Sequence, residues 1–185
     1  MEKKQARVLT DPELESLFEF ISTTKSPARN RTIIMIMHLA GLSVGEVARL
    51  TIGDILDQAG TVVEEIKISN RSIPTSDRLK SELQFYCQTI DISDYQAPLF
   101  STQRSSGFTD STLTQVVNGI YKNAGLVGAS THSGRRGFLI NLANKGVSDK
   151  VLQELVGHKN VGSTRCYVKN NTSDTTLRNA VNLLK

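Results

Sequence analysis

Apolar positions near the start of the chain recur at helical spacing. Leu14, Leu17, Phe18 and Ile21 follow Thr10-Asp11-Pro12-Glu13. In that start Thr10 suits an N-cap, Pro12 the first turn and Glu13 the partner of a capping box. Pro27 interrupts the pattern, and a second helix is predicted from about Arg29 to Ala40, ended by Gly41. Ser43 to Leu50 reads as a third, short helix with Val44, Val47 and Leu50 on one face. The period then shortens. Thr61-Val62-Val63 and Ile66-Lys67-Ile68 are β-rich, Ser69-Asn70 is a turn pair, and Arg71-Ser72-Ile73-Pro74 returns as a strand. Helical spacing resumes from about Ser76 to Ile90 and, past a loop with Pro98 and Gly107, from Ser111 to Ala124. Further helical pieces are predicted at about 133–145, 148–156 and 160–169, with a last one at 172–184. The pattern predicts one mostly helical α+β domain over residues 1–185 with a small antiparallel sheet.

Composition narrows the classes. A chain of 185 residues, 38% hydrophobic and 22% charged, has enough apolar matter for a core and does not read as disordered. The longest apolar run, Ile33 to Leu42, is broken by His38 and Gly41 and falls short of the roughly 18–20 residues of a membrane span. Met1-Glu2-Lys3-Lys4-Gln5 lacks the apolar stretch of a secretory signal. Cys87 and Cys166 have no paired spacing, so no metal site and no disulfide framework is expected, and a cytoplasmic location is the default. The net charge is +4, which alone says little about partners. Its distribution says more: between Arg135 and Arg178 lie eight Lys or Arg residues against Asp149, Glu154 and Asp174. That excess suits a phosphate-tracking surface as well as it suits a solvated basic face.

Three places carry candidate chemistry. In Thr131-His132-Ser133-Gly134-Arg135-Arg136-Gly137, His132 and Arg135 are three apart at a helix start, so both can face one spot. In Leu155-Val156-Gly157-His158-Lys159, Gly157 can end a helix and leave His158 projecting from a tight turn. In Ser163-Thr164-Arg165-Cys166-Tyr167, the tyrosine lies nine residues past His158. Taken singly, each is more readily structural than functional.

In combination, His132-x2-Arg135, Gly157-His158 and Tyr167 fall in order within 36 residues. This order and spacing resemble the C-terminal signature of the tyrosine recombinases of the phage-integrase type. The words around it match as well. Val151-Leu152-Gln153-Glu154-Leu155-Val156-Gly157-His158 resembles the family's helix before its second histidine, and Leu39 to Leu50 resembles its first box. The similarity runs from about Val8 to Leu184. The resemblance implies the family's catalytic-domain fold and site-specific DNA recombination through a 3′-phosphotyrosyl intermediate. It implies Tyr167 as nucleophile, Arg135 as phosphate clamp, His132 and His158 as acid–base or hydrogen-bonding groups and Lys67 as leaving-group acid. Such a reaction needs no ATP, metal or other cofactor, because the bond energy stays in the covalent intermediate. Implied partners are double-stranded DNA and three further copies in a tetramer on DNA, with no membrane and no small-molecule cofactor. Arg136, Lys159 and Arg165 are candidate DNA-binding residues, with a structural role as the alternative for Arg136.

The sequence departs from the family in two places. Directly after Gly41-Leu42 the family carries a catalytic arginine, and here that position is Ser43. Serine is uncharged and too short to grip a phosphoryl oxygen as a guanidinium does. Glu46 matches the family's bracing acid, without its usual arginine partner. The hairpin is also short, so Lys67 is the best candidate for the family's hairpin lysine, with Arg71 as runner-up. Two explanations follow. Either Arg71, Arg49 or another cation replaces the missing guanidinium, or the protein binds DNA with impaired or lost cleavage. The family's N-terminal core-binding domain is expected to be absent.

Overall fold

The computed structural model describes residues 6–69, 71–102 and 107–158, with 160 and 162. Among them lie α1 (Asp11–Ser22), α2 (Pro27–Leu39), α3 (Val44–Ala48), β1 (Glu65–Ile68), β2 (Arg71–Pro74), α4 (Asp77–Cys87), α5 (Asp110–Asn123), α6 (Ser133–Asn144) and α7 (Asp149–Val156). The predicted helices at about 160–169 and 172–184 lie outside the described residues.

Helix α2 is the centre of the fold. Ile33, Ile34, Met35, Ile36 and Met37 are all buried, which a helix tolerates only when it is covered on every side. Helices α1, α3, α4 and α6 pack around it. Pro27 does not interrupt this helix but opens it, the position where its missing N–H costs nothing. The capping box at the start of α1 forms as its sequence implies: the Thr10 N–H donates to Glu13 Oε2 at 3.0 Å and the Glu13 N–H to Thr10 Oγ1 at 3.4 Å.

Strands β1 and β2 form an antiparallel hairpin in the register Ile66↔Ile73, Lys67↔Ser72 and Ile68↔Arg71. Two residues connect them, and Ser69 has φ +52°, as tight hairpin turns require. The predicted strand at Thr61-Val62-Val63 is reduced to a single bridge between Leu56 and Val62. With period-two alternation, Ile66, Ile68, Arg71 and Ile73 share one face, and Ile66 and Ile73 are buried on it. Arg71 is therefore carried inward by the strand that buries Ile73, while Lys67 and Ser72 take the outer face.

Helix α7 packs on α6 through a satellite cluster of Leu139, Leu152 and Val156, and it also contacts β2. Its C-terminal turn is thereby set over Arg71. No helix among the described residues is long and apolar enough to cross a membrane.

Candidate active site

Helix α3 begins with a second capping box. The Ser43 N–H and hydroxyl donate to Glu46 Oε2 at 2.7 and 2.9 Å, and the Glu46 N–H returns a bond to Ser43 Oγ at 3.3 Å. The Ser-x-x-Glu pattern was legible in the sequence, although its consequence was not: Ser43, uncharged and shorter than a guanidinium side chain, orients the Glu46 carboxylate.

Arg135 reaches that carboxylate from the first turn of α6. This turn lies against α2, where a Cβ on Gly134 would stand 2.9 Å from the His38 ring and from the Met37 carbonyl carbon, so only glycine permits the approach. Arg135 Nη1 then donates to the Gly41 carbonyl at 2.9 Å and to Glu46 Oε2 at 3.1 Å, and Nη2 donates to the Val156 carbonyl. The guanidinium thus ties together the ends of α2 and α7 and the start of α3, at 14% side-chain exposure.

Arg71 approaches the same carboxylate from the hairpin. Its Nη1 donates to Glu46 Oε1 at 2.7 Å, with side chains 12% and 15% exposed. Gly157, in the left-handed region at φ +66°, ends α7 directly over this guanidinium; a Cβ there would lie 2.7 Å from Arg71 Nη1. Burial works against the Glu46 anion, but hydrogen bonds from Arg71 and Ser43 outweigh it and hold the carboxyl below its ordinary range. Two guanidinia therefore share one ionised carboxylate, one on each oxygen.

His158 follows Gly157 and is half-buried. Burial, then the positive charges of Arg135 and Arg71, lower its pKa against an opposing contribution from Glu46. The lowering favours the neutral imidazole, the form that can accept a proton. His132 is the N-cap residue of α6, makes no side-chain cap bond and is exposed, on the same first turn that carries Arg135. Lys67 lines a cleft of about 240 Å³ together with Glu46, Arg49, Leu50, Asp54, Ile68 and Ser69. It stands at the edge of the site, on the solvent side of the hairpin.

The remaining candidates divide. Arg49 pairs with Asp110 at 3.0 Å, both side chains more than half exposed, so it is held between α3 and α5. Arg136 is buried, with Nη1 donating to the Ala6 carbonyl at 2.6 Å. Of its two sequence-based roles, DNA phosphate or structure, this position suits the structural tie. Tyr167, Lys159 and Arg165 lie outside the described residues.

Residues 7–174 match the family model described as "Phage integrase family". The chain belongs to the phage integrase family. Tyrosine recombinase XerC of Bacillus subtilis (strain 168) is 29% identical over 176 residues, 90% of this chain and 58% of the relative. The Tn1549 transposon integrase, solved in complex with transposon right end DNA, superposes with a TM-score of 0.76 at 22% identity, covering all of this chain and 68% of that one. A lambda integrase tetramer bound to a Holliday junction gives a TM-score of 0.69 at 18% identity, over 94% of this chain and 51% of the other. These likenesses establish the tyrosine-recombinase catalytic-domain fold for this family member. The chain spans about three fifths of the length of such curated relatives, 58% of XerC.

Proposed function

We propose that this phage-integrase-family chain recombines DNA at specific sites by breaking and rejoining strands through a 3′-phosphotyrosyl intermediate. The observation that carries the proposal is the seating of Arg135. It is held by two backbone carbonyls and Glu46, next to His158, in the order that the family signature implies. A guanidinium fixed in this way meets a phosphoryl group without reorganising, which is where electrostatic stabilisation is most effective.

In the proposed step, the Tyr167 oxygen attacks the scissile phosphorus and the P–O5′ bond breaks. The phenolic proton passes to His158 or His132, and the departing 5′-oxygen takes a proton from Lys67. Attack of a 5′-hydroxyl on the phosphotyrosine reverses the step, so no net oxidant, reductant or nucleotide is consumed. Double-stranded DNA is the substrate, and a four-protomer assembly on two duplexes accounts for exchange between them. Lys159 and Arg165 are proposed as backbone contacts. The protein would act in the cytoplasm.

The test is a nicked suicide duplex carrying the site found at the natural locus. Wild type is expected to form a covalent protein–DNA adduct, and Tyr167→Phe none. Binding at a verified site without an adduct would reject cleavage. It would favour the alternative of a recombinase-derived DNA-binding protein, to which Ser43 already points.

A further inference from the structure

We propose that Arg71 is a second phosphoryl-binding residue, a guanidinium delivered by strand β2 to the place left without charge by Ser43. This inference rests on the reading of the Arg135 site as a DNA-phosphate site.

The argument begins with donor accounting. A guanidinium has five N–H groups. Arg71 Nη1 donates to Glu46 Oε1, whereas Nε and Nη2 are buried and have no hydrogen-bond partner among the described residues. Burying charged donors without acceptors is unfavourable, so an ion pair serving stability alone is a poor description of this side chain. Glu46 offers little more, because its other oxygen already accepts from Arg135 Nη1, the Ser43 N–H and the Ser43 hydroxyl. A phosphoryl group brings anionic oxygens with open lone pairs and satisfies such donors.

Position and charge agree with this role. Arg71 and Arg135 grip opposite oxygens of one carboxylate, so two positive charges are balanced by one negative charge and the cluster keeps a net attraction for an anion. The carboxylate on which they converge is held by Ser43, so a cation from β2 stands beside residue 43 although it is remote in sequence. Arg49, the other nearby cation, is already paired with Asp110. The bare Cα of Gly157 leaves space for the planar guanidinium; a Cβ there would meet Nη1, Cδ and Cζ at 2.7, 3.1 and 3.5 Å.

The experiment uses the full chain with Arg71→Met, Arg71→Lys and the double variant Arg71→Met/Ser43→Arg, each first shown to fold by thermal melting. Two readouts are taken. The first is duplex affinity against salt, where loss of one phosphate contact lowers the slope of log K on log salt by about 0.9. The second is adduct formation on the suicide duplex, where Arg71→Met is expected to lose about 10²–10³-fold in rate by analogy with other deletions of an anion-binding donor. Arg71→Lys, charged but without the fork, is expected to fall between wild type and Met. The double variant is expected to recover at least tenfold over Arg71→Met alone, on the order of half the lost activation energy, and to gain more from Ser43→Arg than the wild-type background does, which a merely structural role at Arg71 would not produce. An unchanged slope together with an unchanged adduct rate in Arg71→Met overturns the inference. If wild type forms no adduct, cleavage itself fails, and the salt slope still decides whether Arg71 holds a phosphate. Should Arg71→Met not fold, the decision passes to Arg71→Lys, which keeps the charge and so the slope, and for which a wild-type adduct rate overturns the inference.

Discussion

Glu46 is where the site can be dismantled with the smallest change. Glu46→Gln keeps the shape of the side chain and lets one amide oxygen accept from Ser43, but it removes the charge that two guanidinia share. Arg71 and Arg135 then face each other at 12% and 14% exposure with no counterion between them. Hydrogen bonds to charged groups contribute about 1.5–3 kcal/mol each, and stripping one partner from a buried ion pair costs about 3–5 kcal/mol. One bond is retained and the side chains keep some solvent, so we expect a loss of ~2–4 kcal/mol. At roughly 2–4 °C per kcal/mol for a domain of this size, the midpoint should fall on the order of 5–15 °C. Thermal unfolding at pH 7, followed by circular dichroism, measures the midpoint, and urea unfolding the free energy. The acid limb provides a second readout. The folded Glu46 carboxyl titrates below its ordinary value of 4.5. Its contribution is therefore complete above pH 4.5 and is lost as the pH falls through the depressed folded value. In Glu46→Gln that part of the acid limb should disappear. A variant within about 0.5 kcal/mol of wild type, the usual range for surface substitutions, with an unaltered acid limb would refute the shared-carboxylate account.

Other predictions use different features. Gly157→Ala combines a left-handed φ with crowding against Arg71, whereas Gly146→Ala, at φ +86° with nothing within 4 Å of the added Cβ, carries the φ cost alone. Each should lose about 1–2 kcal/mol from backbone conformation, and Gly157→Ala should lose more in urea unfolding and also weaken duplex binding; equal losses with unchanged binding would contradict the contact. His38 is half-buried beside the Tyr121 hydroxyl at 3.2 Å, and desolvation pushes its pKa from 6.5 down to about 4. Because the unfolded chain takes up this proton first, stability is complete above pH 6.5 and declines toward pH 4 by roughly 3 kcal/mol. His38→Gln should flatten that decline, as read from urea midpoints between pH 7 and 4, and a slope equal to wild type would place the proton uptake elsewhere.

Much of this was legible in the chain before folding. The capping box at Thr10 and Glu13, the stripe of α5, the two-residue turn at Ser69-Asn70 and the termination of α7 at Gly157 all follow from local rules, because their partners lie within a few residues. So does the family, since the order His132, Arg135, Gly157, His158, Tyr167 is a property of the string. What local rules missed was also local in part. Pro27, a break in the hydrophobic pattern, starts α2, and Ser43, a loss of charge against the family, also caps α3 and orients Glu46.

The assignment of cations needed the tertiary structure. Alternation along the hairpin separates Arg71 from Lys67, but which face meets α3 and α7 depends on packing far away in sequence. Arg71 and Glu46 are 25 residues apart, Arg135 and Glu46 89, Arg135 and the Gly41 carbonyl 94, and Arg136 and the Ala6 carbonyl 130. Long cationic side chains have weak local preferences and take their roles from whichever carboxylates and carbonyls the core brings within reach. The sequence alone determined most of the described elements and the order of the candidate residues along them; only burial, by setting β2 and α7 against α3, decided which arginine meets the Glu46 carboxylate that Ser43 orients.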